Sequence, residues 1–183
     1  MGTATHDGDL AAILPALAEI HREFAGWATF ETIGFVQDLA LPDWIRRVAP
    51  SPHATRSYPG FVQWASSAGP WDIGLAPLAD TAFNACKSGI KVLDYAALGL
   101  AVLASDVPAY RGALASGPNG GLVANTALDW YRALSRAIRD RAWRQSLAED
   151  AGRRLRESGT LAAQADTWRA AWADVARRPG RGR

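Results

Sequence analysis

Four polar side chains close together in the sequence could bind a nucleotide. Lys87, Lys91 and Asp94 fall on one side of a predicted helix over residues 87–98, and Ser88 follows the first lysine. A helix N-terminus attracts phosphate, and an ammonium group and a hydroxyl there would add contacts. Further along, the Asp94 carboxylate could accept hydrogen bonds from ribose hydroxyls. The spacing predicts a nucleotide site, and a solvated ladder of lysine–aspartate pairs is the alternative that it leaves open.

The apolar residues of this helix predict which side of it is buried. Ile90, Leu93 and Ala97 lie away from the two lysines and form the predicted buried stripe. Gly99 is the predicted C-cap glycine.

The helix belongs to a chain in which predicted helices and strands alternate. Strands are predicted over 27–35, 71–76, 100–104 and 120–124, with a long loop over 37–60. Other helices are predicted over 9–24, 61–65 and in the periodic segments from Trp130 to Trp172, with Asp7 or Asp9 as the first N-cap. This order predicts an α/β fold, a Rossmann-like parallel sheet with helices on both faces.

Ligands of such sheets bind at the carboxyl ends of the strands. Four turns qualify, over residues 2–9, 77–87, 105–110 and 124–129. His6 lies on the first of them and is therefore a candidate contact for a sugar or a phosphate.

Several motifs in order resemble one family. They are WDIGLAPL at 71–78, FNACKS at 83–88, KVLDYAALG at 91–99 and ASDVPAY at 104–110, with GTATHDGDL at 2–10 and GLV at 121–123. Together they resemble the carboxyl-terminal domain of group 1 (family 4-like) glycosyltransferases, over about residues 2–157. The resemblance implies the GT-B architecture of two Rossmann-like domains, in which the second holds the nucleotide sugar.

The resemblance also implies the domain organisation and the site. Residues 1–176 would form the nucleotide-sugar-binding domain and residues 177–183 a basic tail. Lys87 and Ser88 are the predicted catalytic residues, which stabilise the departing nucleoside diphosphate. The predicted donor-binding residues are Gly2, Thr3, Asn84, Lys87, Ser88, Lys91 and Asp94. No metal and no separate cofactor are expected, and the acceptor (a glycan, a lipid or a protein) is unknown.

One position departs from the family pattern. The family has two glutamates separated by seven residues; Asp94 fits the second, whereas Cys86 stands at the first. Two alternatives to a transferase therefore remain: a degenerate domain that binds a nucleotide sugar without transferring it, and a sugar-nucleotide epimerase, which shares the GT-B architecture.

Charge and composition limit the partners and the compartment. The 183 residues carry a net charge of +2, but the segment from Arg139 onward has 11 basic and 6 acidic residues. This basic segment is either a solvated helix and tail or a patch that contacts anionic lipid or an acidic partner. It lacks interleaved aromatic residues, so no nucleic acid is expected. The lone Cys86 and the lack of a long apolar run favour the cytoplasm, with the inner membrane surface as the place of any lipid contact.

The predicted sheet lacks its central strand. In the strand order 3-2-1-4-5-6 the first strand should precede the turn at 2–6, where the sequence starts. Strands 27–35 and 71–76 should then border a gap. We expect the chain to be unstable or aggregation-prone alone, or completed by a strand from elsewhere, as a fragment of a longer enzyme whose acceptor domain lies on another or an upstream chain.

Overall fold

The computed structural model describes residues 6–34 and 38–177. The helices are α1 (Asp7–Glu23), α2 (Tyr58–Ala68), α3 (Ala82–Ala85), α4 (Ile90–Ala97), α5 (Pro108–Arg111), α6 (Ala127–Arg139), α7 (Arg141–Arg154) and α8 (Leu161–Arg177). The strands are β1 (Phe30–Thr32), β2 (Ile45–Arg47), β3 (Ile73–Ala76), β4 (Ala101–Ser105) and β5 (Leu122–Val123). A 3-10 turn at Ala54–Arg56 and a π turn at Leu155–Gly159 complete the regular structure.

Every strand pair among the described residues is parallel. One sheet has the order β3-β4-β5, with Ile73 opposite Ala101 and Ala104 opposite Leu122. A separate sheet pairs β1 with β2, with Phe30 opposite Ile45. The alternating elements and parallel pairing confirm the predicted Rossmann-like α/β fold.

Helices cover both faces of the larger sheet. On β4, Ala101 and Leu103 pack with the apolar side chains of α1 and α6, whereas Val102 and Ala104 pack with those of α4 and α5. Successive side chains of a strand point to opposite faces, so the two core clusters lie on the two sides of one layer. All five residues of β4 are buried, as expected for the middle strand.

Helix α1 forms where the apolar spacing predicts it, although its predicted capping was wrong. Its buried residues recur at helical spacing from Leu10 to Ile20, and Pro15 lies inside it. The N-cap position is His6, and no side chain caps the helix there. Asp7 and Asp9 instead accept hydrogen bonds from backbone N–H groups of distant loops. They therefore tie the start of α1 to those loops.

Two short strands account for the largest difference from the predicted elements. The strand expected over 27–35 is confined to Phe30–Thr32 within the described part of that range. Residues 37–60, expected to be loop, contain β2, with the apolar Ile45 followed by two arginines. Three residues of this composition show neither alternation nor an apolar run, so only pairing with β1 marks them as a strand.

Helix α4 begins later than its sequence predicts, and a different side of it is buried. It starts at Ile90, so Lys87 and Ser88 precede it, and its buried residues are Val92, Tyr95 and Ala96. The predicted stripe was wrong: Ile90 is 52% exposed, Leu93 is half-buried and Ala97 is exposed. The predicted end was confirmed, because Gly99 has φ +74° directly after the last turn.

A glycine on the adjacent strand explains this orientation of α4. A Cβ on Gly74 would lie 2.5 Å from the ring of Tyr95, so the missing side chain leaves the space that the ring fills. The Tyr95 hydroxyl also donates to the Leu75 carbonyl oxygen over 2.9 Å. Contact with β3 therefore decides which side of α4 is buried.

Helix α8 is formed but buries none of its own residues. The periodicity predicted a helix here, yet none of its residues is buried, and Trp168 and Trp172 are exposed. Trp130 and Trp143, by contrast, are buried in the core. No helix within residues 6–34 and 38–177 is long and apolar enough to cross a membrane.

Candidate functional site

The carboxyl ends of β3, β4 and β5 are held together by one network of hydrogen bonds. The fully buried Ser105 hydroxyl accepts from the Leu78 N–H over 2.8 Å and donates to the Asn125 carbonyl oxygen over 2.6 Å. The Asn125 amide then donates to the Leu78 carbonyl oxygen over 2.8 Å. Because each loop is tied to the next, this edge of the sheet is a rigid base for a site.

The start of α1 is fastened to the same edge by a buried carboxylate. One oxygen of Asp9 accepts from the Ala79 N–H over 2.7 Å, and the other lies 2.7 Å from Nδ1 of His6. His6 and Asp9 are each 8% exposed. Burial lowers the pKa of His6 below 6.5, although the hydrogen bond that His6 donates to Asp9 opposes this shift, and the nearby Lys91 and Lys87 lower the pKa further. The His6 ring is therefore neutral near pH 7.

Lys91 brings a buried positive charge to this place. It lies in the first turn of α4, and its Nζ is buried. Burial lowers its pKa to about 8; the carboxylate of Asp9 opposes that shift, and the charge of Lys87 adds to it. We call His6, Asp9, Lys87 and Lys91 the Lys91 cluster. Its two lysines meet at the carboxyl edge of the sheet, beside the first turn of α4.

Lys87 and Ser88 do not occupy the first turn of a helix, contrary to the prediction. They lie in the turn that joins α3 to α4. Thr81 caps α3 by accepting from the Asn84 N–H over 3.1 Å, which begins a separate short helix before the turn. Nζ of Lys87 lies 5.3 Å from the centre of the exposed Phe83 ring, and Ser88 is exposed. Both side chains can therefore reach a ligand above the edge.

The N-terminus of α4 is positioned by a close contact between its backbone and the backbone of α5. Gly89 is the N-cap residue, and a Cβ on it would lie 3.1 Å from the Ala109 carbonyl oxygen on α5. Glycine allows α4 and α5 to come this close, which brings their loops together at the edge.

Asn84 has a structural role in the described chain. It is buried, and its side-chain amide donates to the Ala79 carbonyl oxygen over 2.9 Å. Because the N–H of Ala79 donates to Asp9, Asn84 and Asp9 fix the same residue from two sides. A direct contact of Asn84 with a donor remains a prediction.

Asp94 lies one turn beyond Lys91 and has a partner that the sequence did not suggest. The hydroxyl of Tyr58, at the start of α2, donates to its carboxylate. Burial raises the pKa of Asp94, and burial together with Asp94 raises the pKa of Tyr58 to about 12. Asp94 is half-buried and keeps an exposed part for a ligand. Nothing local to Tyr58 marks this contact, because 36 residues separate the two.

Three further positions from the sequence analysis are Gly2, Thr3 and Cys86. Gly2 and Thr3 lie outside the described residues, so their predicted donor contact stays a prediction. Cys86 is exposed at the end of α3, close to Lys87 in the chain.

The sequence analysis treated Asp9 only as a helix cap and did not find its role in holding His6. Among the residues that the structure describes, no group of three or more His, Cys, Asp or Glu side chains could hold a metal ion.

Comparison with known proteins supplies one relative. No protein-family model matches the chain. Over 141 residues it is 31% identical to a D-inositol 3-phosphate glycosyltransferase of Streptosporangium roseum. The aligned region is 75% of this chain and 29% of that protein, so the chain spans less than a third of the relative's length. This similarity relates the chain to the glycosyltransferases.

Proposed function

We propose that this chain binds a nucleotide-diphosphate sugar and is the donor-binding part of a glycosyltransferase. The observation that carries the proposal is the Lys91 cluster, which gathers two lysines at the carboxyl edge of a parallel sheet. Ligands of such sheets bind at that edge, and a buried cation there is matched to an anion. The similarity to a glycosyltransferase supports the same ligand class.

Each residue of the site has a place in this proposal. Lys91 contacts the diphosphate from inside the site, and Lys87 and Ser88 contact it from the turn above. The neutral His6 ring donates its Nδ1–H to Asp9, so its Nε2 can accept a hydrogen bond from a sugar hydroxyl. Asp94, one helical turn from Lys91, accepts hydrogen bonds from ribose hydroxyls.

The proposed chemistry is electrostatic. A hydroxyl oxygen of the acceptor bonds to the sugar carbon as the bond from that carbon to the phosphate oxygen breaks, and the hydroxyl proton passes to the departing nucleoside diphosphate. The two lysines stabilise the negative charge that develops on this leaving group. No metal ion is required for this step. The acceptor is a glycan, a lipid or a protein, and a second domain supplies most of its binding site.

Titration of the full chain with uridine, guanosine and adenosine diphosphates tests the donor site. At least one of them should bind, and Lys87→Ala should weaken that binding about tenfold or more, since a charge-assisted contact contributes about 1.5–3 kcal/mol. Arg22→Ala is the matched control, because this exposed arginine lies near the far end of α1. Equal affinities of wild type and Lys87→Ala would remove Lys87 from the site.

A degenerate binding domain is the second candidate, and Cys86 favours it. This thiol stands where the first glutamate of the family pattern would contact the donor sugar. Such a domain would bind the sugar nucleotide but transfer no sugar, even when an acceptor domain and its acceptor are supplied. Sugar transfer under those conditions would exclude this candidate.

A further inference from the structure

The local structure at the start of α2 places the hydroxyl of Tyr58 against Asp94. Ser57 caps this helix by accepting from the Gly60 N–H over 3.2 Å, and Pro59 lies in the first turn. Tyr58 is the first residue of α2, so the cap and the proline together fix the backbone from which its side chain leaves. Its hydroxyl then donates to the Asp94 carboxylate on α4.

This hydrogen bond uses one of the two oxygens of the Asp94 carboxylate. Tyr58 donates to Oδ1, and an ionised carboxylate accepts through both of its oxygens, so Oδ2 can accept from a ligand. A carboxylate is planar, and a donor fixed at Oδ1 therefore limits the directions in which Oδ2 can point. Because Asp94 is half-buried, those directions lie on its exposed side.

A second tyrosine makes the same kind of contact away from the candidate site. The hydroxyl of Tyr131, on α6, donates to the carboxylate of Glu23 at the end of α1. Glu23 also forms an ion pair with Arg139, whereas within residues 6–34 and 38–177 no basic side chain forms an ion pair with Asp94. The Asp94 carboxylate therefore has a neutral partner, and it keeps acceptor capacity for further hydroxyl groups.

The place of Asp94 on α4 suits a ribose. It follows Lys91 by three residues, about 4.5 Å along the helix axis, and the ribose of a nucleotide is joined directly to its phosphates. Burial raises the pKa of Asp94, and the hydrogen bond from Tyr58 lowers it. Tyr58 therefore favours the ionised carboxylate, which accepts from hydroxyl groups about twice as strongly as a neutral acceptor.

We propose that Tyr58 is a positioning residue of the donor site, which holds the Asp94 carboxylate so that the site selects a ribose over a deoxyribose. The inference rests on the proposed function, because it takes Asp94 as the ribose contact. Tyr58 acts through Asp94 and does so by its hydroxyl. Tyr58→Phe keeps the ring and removes only that group, so this variant isolates the role.

Calorimetric titration of the full chain with uridine, guanosine and adenosine diphosphates, each also in its 2′-deoxy and 3′-deoxy forms, measures the selection. Wild type should bind a ribonucleotide about tenfold or more tightly than at least one of its deoxy forms, because that form lacks a charge-assisted hydrogen bond. Tyr58→Phe should reduce this ratio to about threefold or less and leave binding of inorganic pyrophosphate unchanged. Tyr131→Phe is the matched control and should keep the ratio of the wild type.

The outcomes separate a failure of this inference from a failure of the proposed function. An unchanged ratio in Tyr58→Phe, an equal loss of pyrophosphate binding, or a wild type that does not select would overturn the role of Tyr58 and leave the donor site in place. Absence of binding for all three diphosphates would refute the donor site and the role of Tyr58 with it.

A double-mutant cycle tests whether Tyr58 acts through Asp94. Once Asp94→Asn has removed the charge, adding Tyr58→Phe should change the ratio of ribonucleotide to deoxynucleotide affinity by less than about twofold, because the two residues form one unit. A further loss of selection in the double variant would mean that Tyr58 contacts the ligand by itself, and it would overturn the positioning role.

Discussion

Replacing Lys91 with methionine should make the protein more stable and less able to bind a nucleoside diphosphate. The ammonium group of Lys91 is buried, and burial lowers its pKa from 10.5 to about 8. Between these pH values the unfolded chain binds a proton that the folded chain does not, so the free energy of unfolding rises with pH across this window. At about 1.4 kcal/mol per pH unit, the whole window corresponds to about 3 kcal/mol.

The lowered pKa of Lys91 determines both the sign of the stability change in Lys91→Met and its dependence on pH. At pH 7 both states carry the proton, and the full penalty of about 3 kcal/mol lowers the stability of the wild type. Methionine fills a similar volume without charge, so Lys91→Met should raise the free energy of unfolding by up to about 3 kcal/mol at pH 7. The gain should shrink as pH rises through 8 and vanish near 10.5.

Urea unfolding of both proteins at pH 7 and pH 10, followed by circular dichroism, measures this difference. Arg22→Met is the control, because that arginine is mostly exposed and its loss should change little at either pH. Calorimetric titration with the nucleoside diphosphate should show lost binding in Lys91→Met, and in wild type weaker binding above pH 8. A Lys91→Met protein that is less stable at pH 7, or a difference that does not change with pH, would refute the reasoning.

Three further predictions concern other parts of the site and its support. Asp94→Asn should weaken binding of the ribonucleotide and leave binding of inorganic pyrophosphate unchanged, because only the ribose contact loses a charge; equal losses for both ligands would argue against a ribose role. Gly74→Ala should lower the free energy of unfolding by about 1–3 kcal/mol through its clash with Tyr95, whereas Gly8→Ala, where a Cβ meets open space, should cost nothing in thermal melts. Ser105→Ala should cost about 1–3 kcal/mol in urea unfolding, since a buried N–H loses its acceptor; an unchanged midpoint would contradict the network described at the strand ends.

The fold class could be predicted from the amino-acid sequence, and so could the sheet edge that is the proposed donor site. Apolar periodicity predicted α1 and α6, and the apolar run over 100–104 predicted the buried strand β4. Gly99 ended α4 because a left-handed residue is a local requirement. Among the residues that the structure describes, β1 and β3 belong to separate sheets, as the strand order had predicted.

Packing between elements sets which side of α4 is buried and which residues come together in the candidate site. Helical spacing gives the faces of α4 and not their orientation, which depends on the space that Gly74 leaves for Tyr95. The partnership of Tyr58 with Asp94 joins residues far apart in the chain. Burial of Lys91, and with it the lowered pKa, depends on how α1 and α4 pack at one edge. Protonation state, solvent exposure and the distance between elements depend on how the chain packs, so the spacing of residues along the sequence does not determine them.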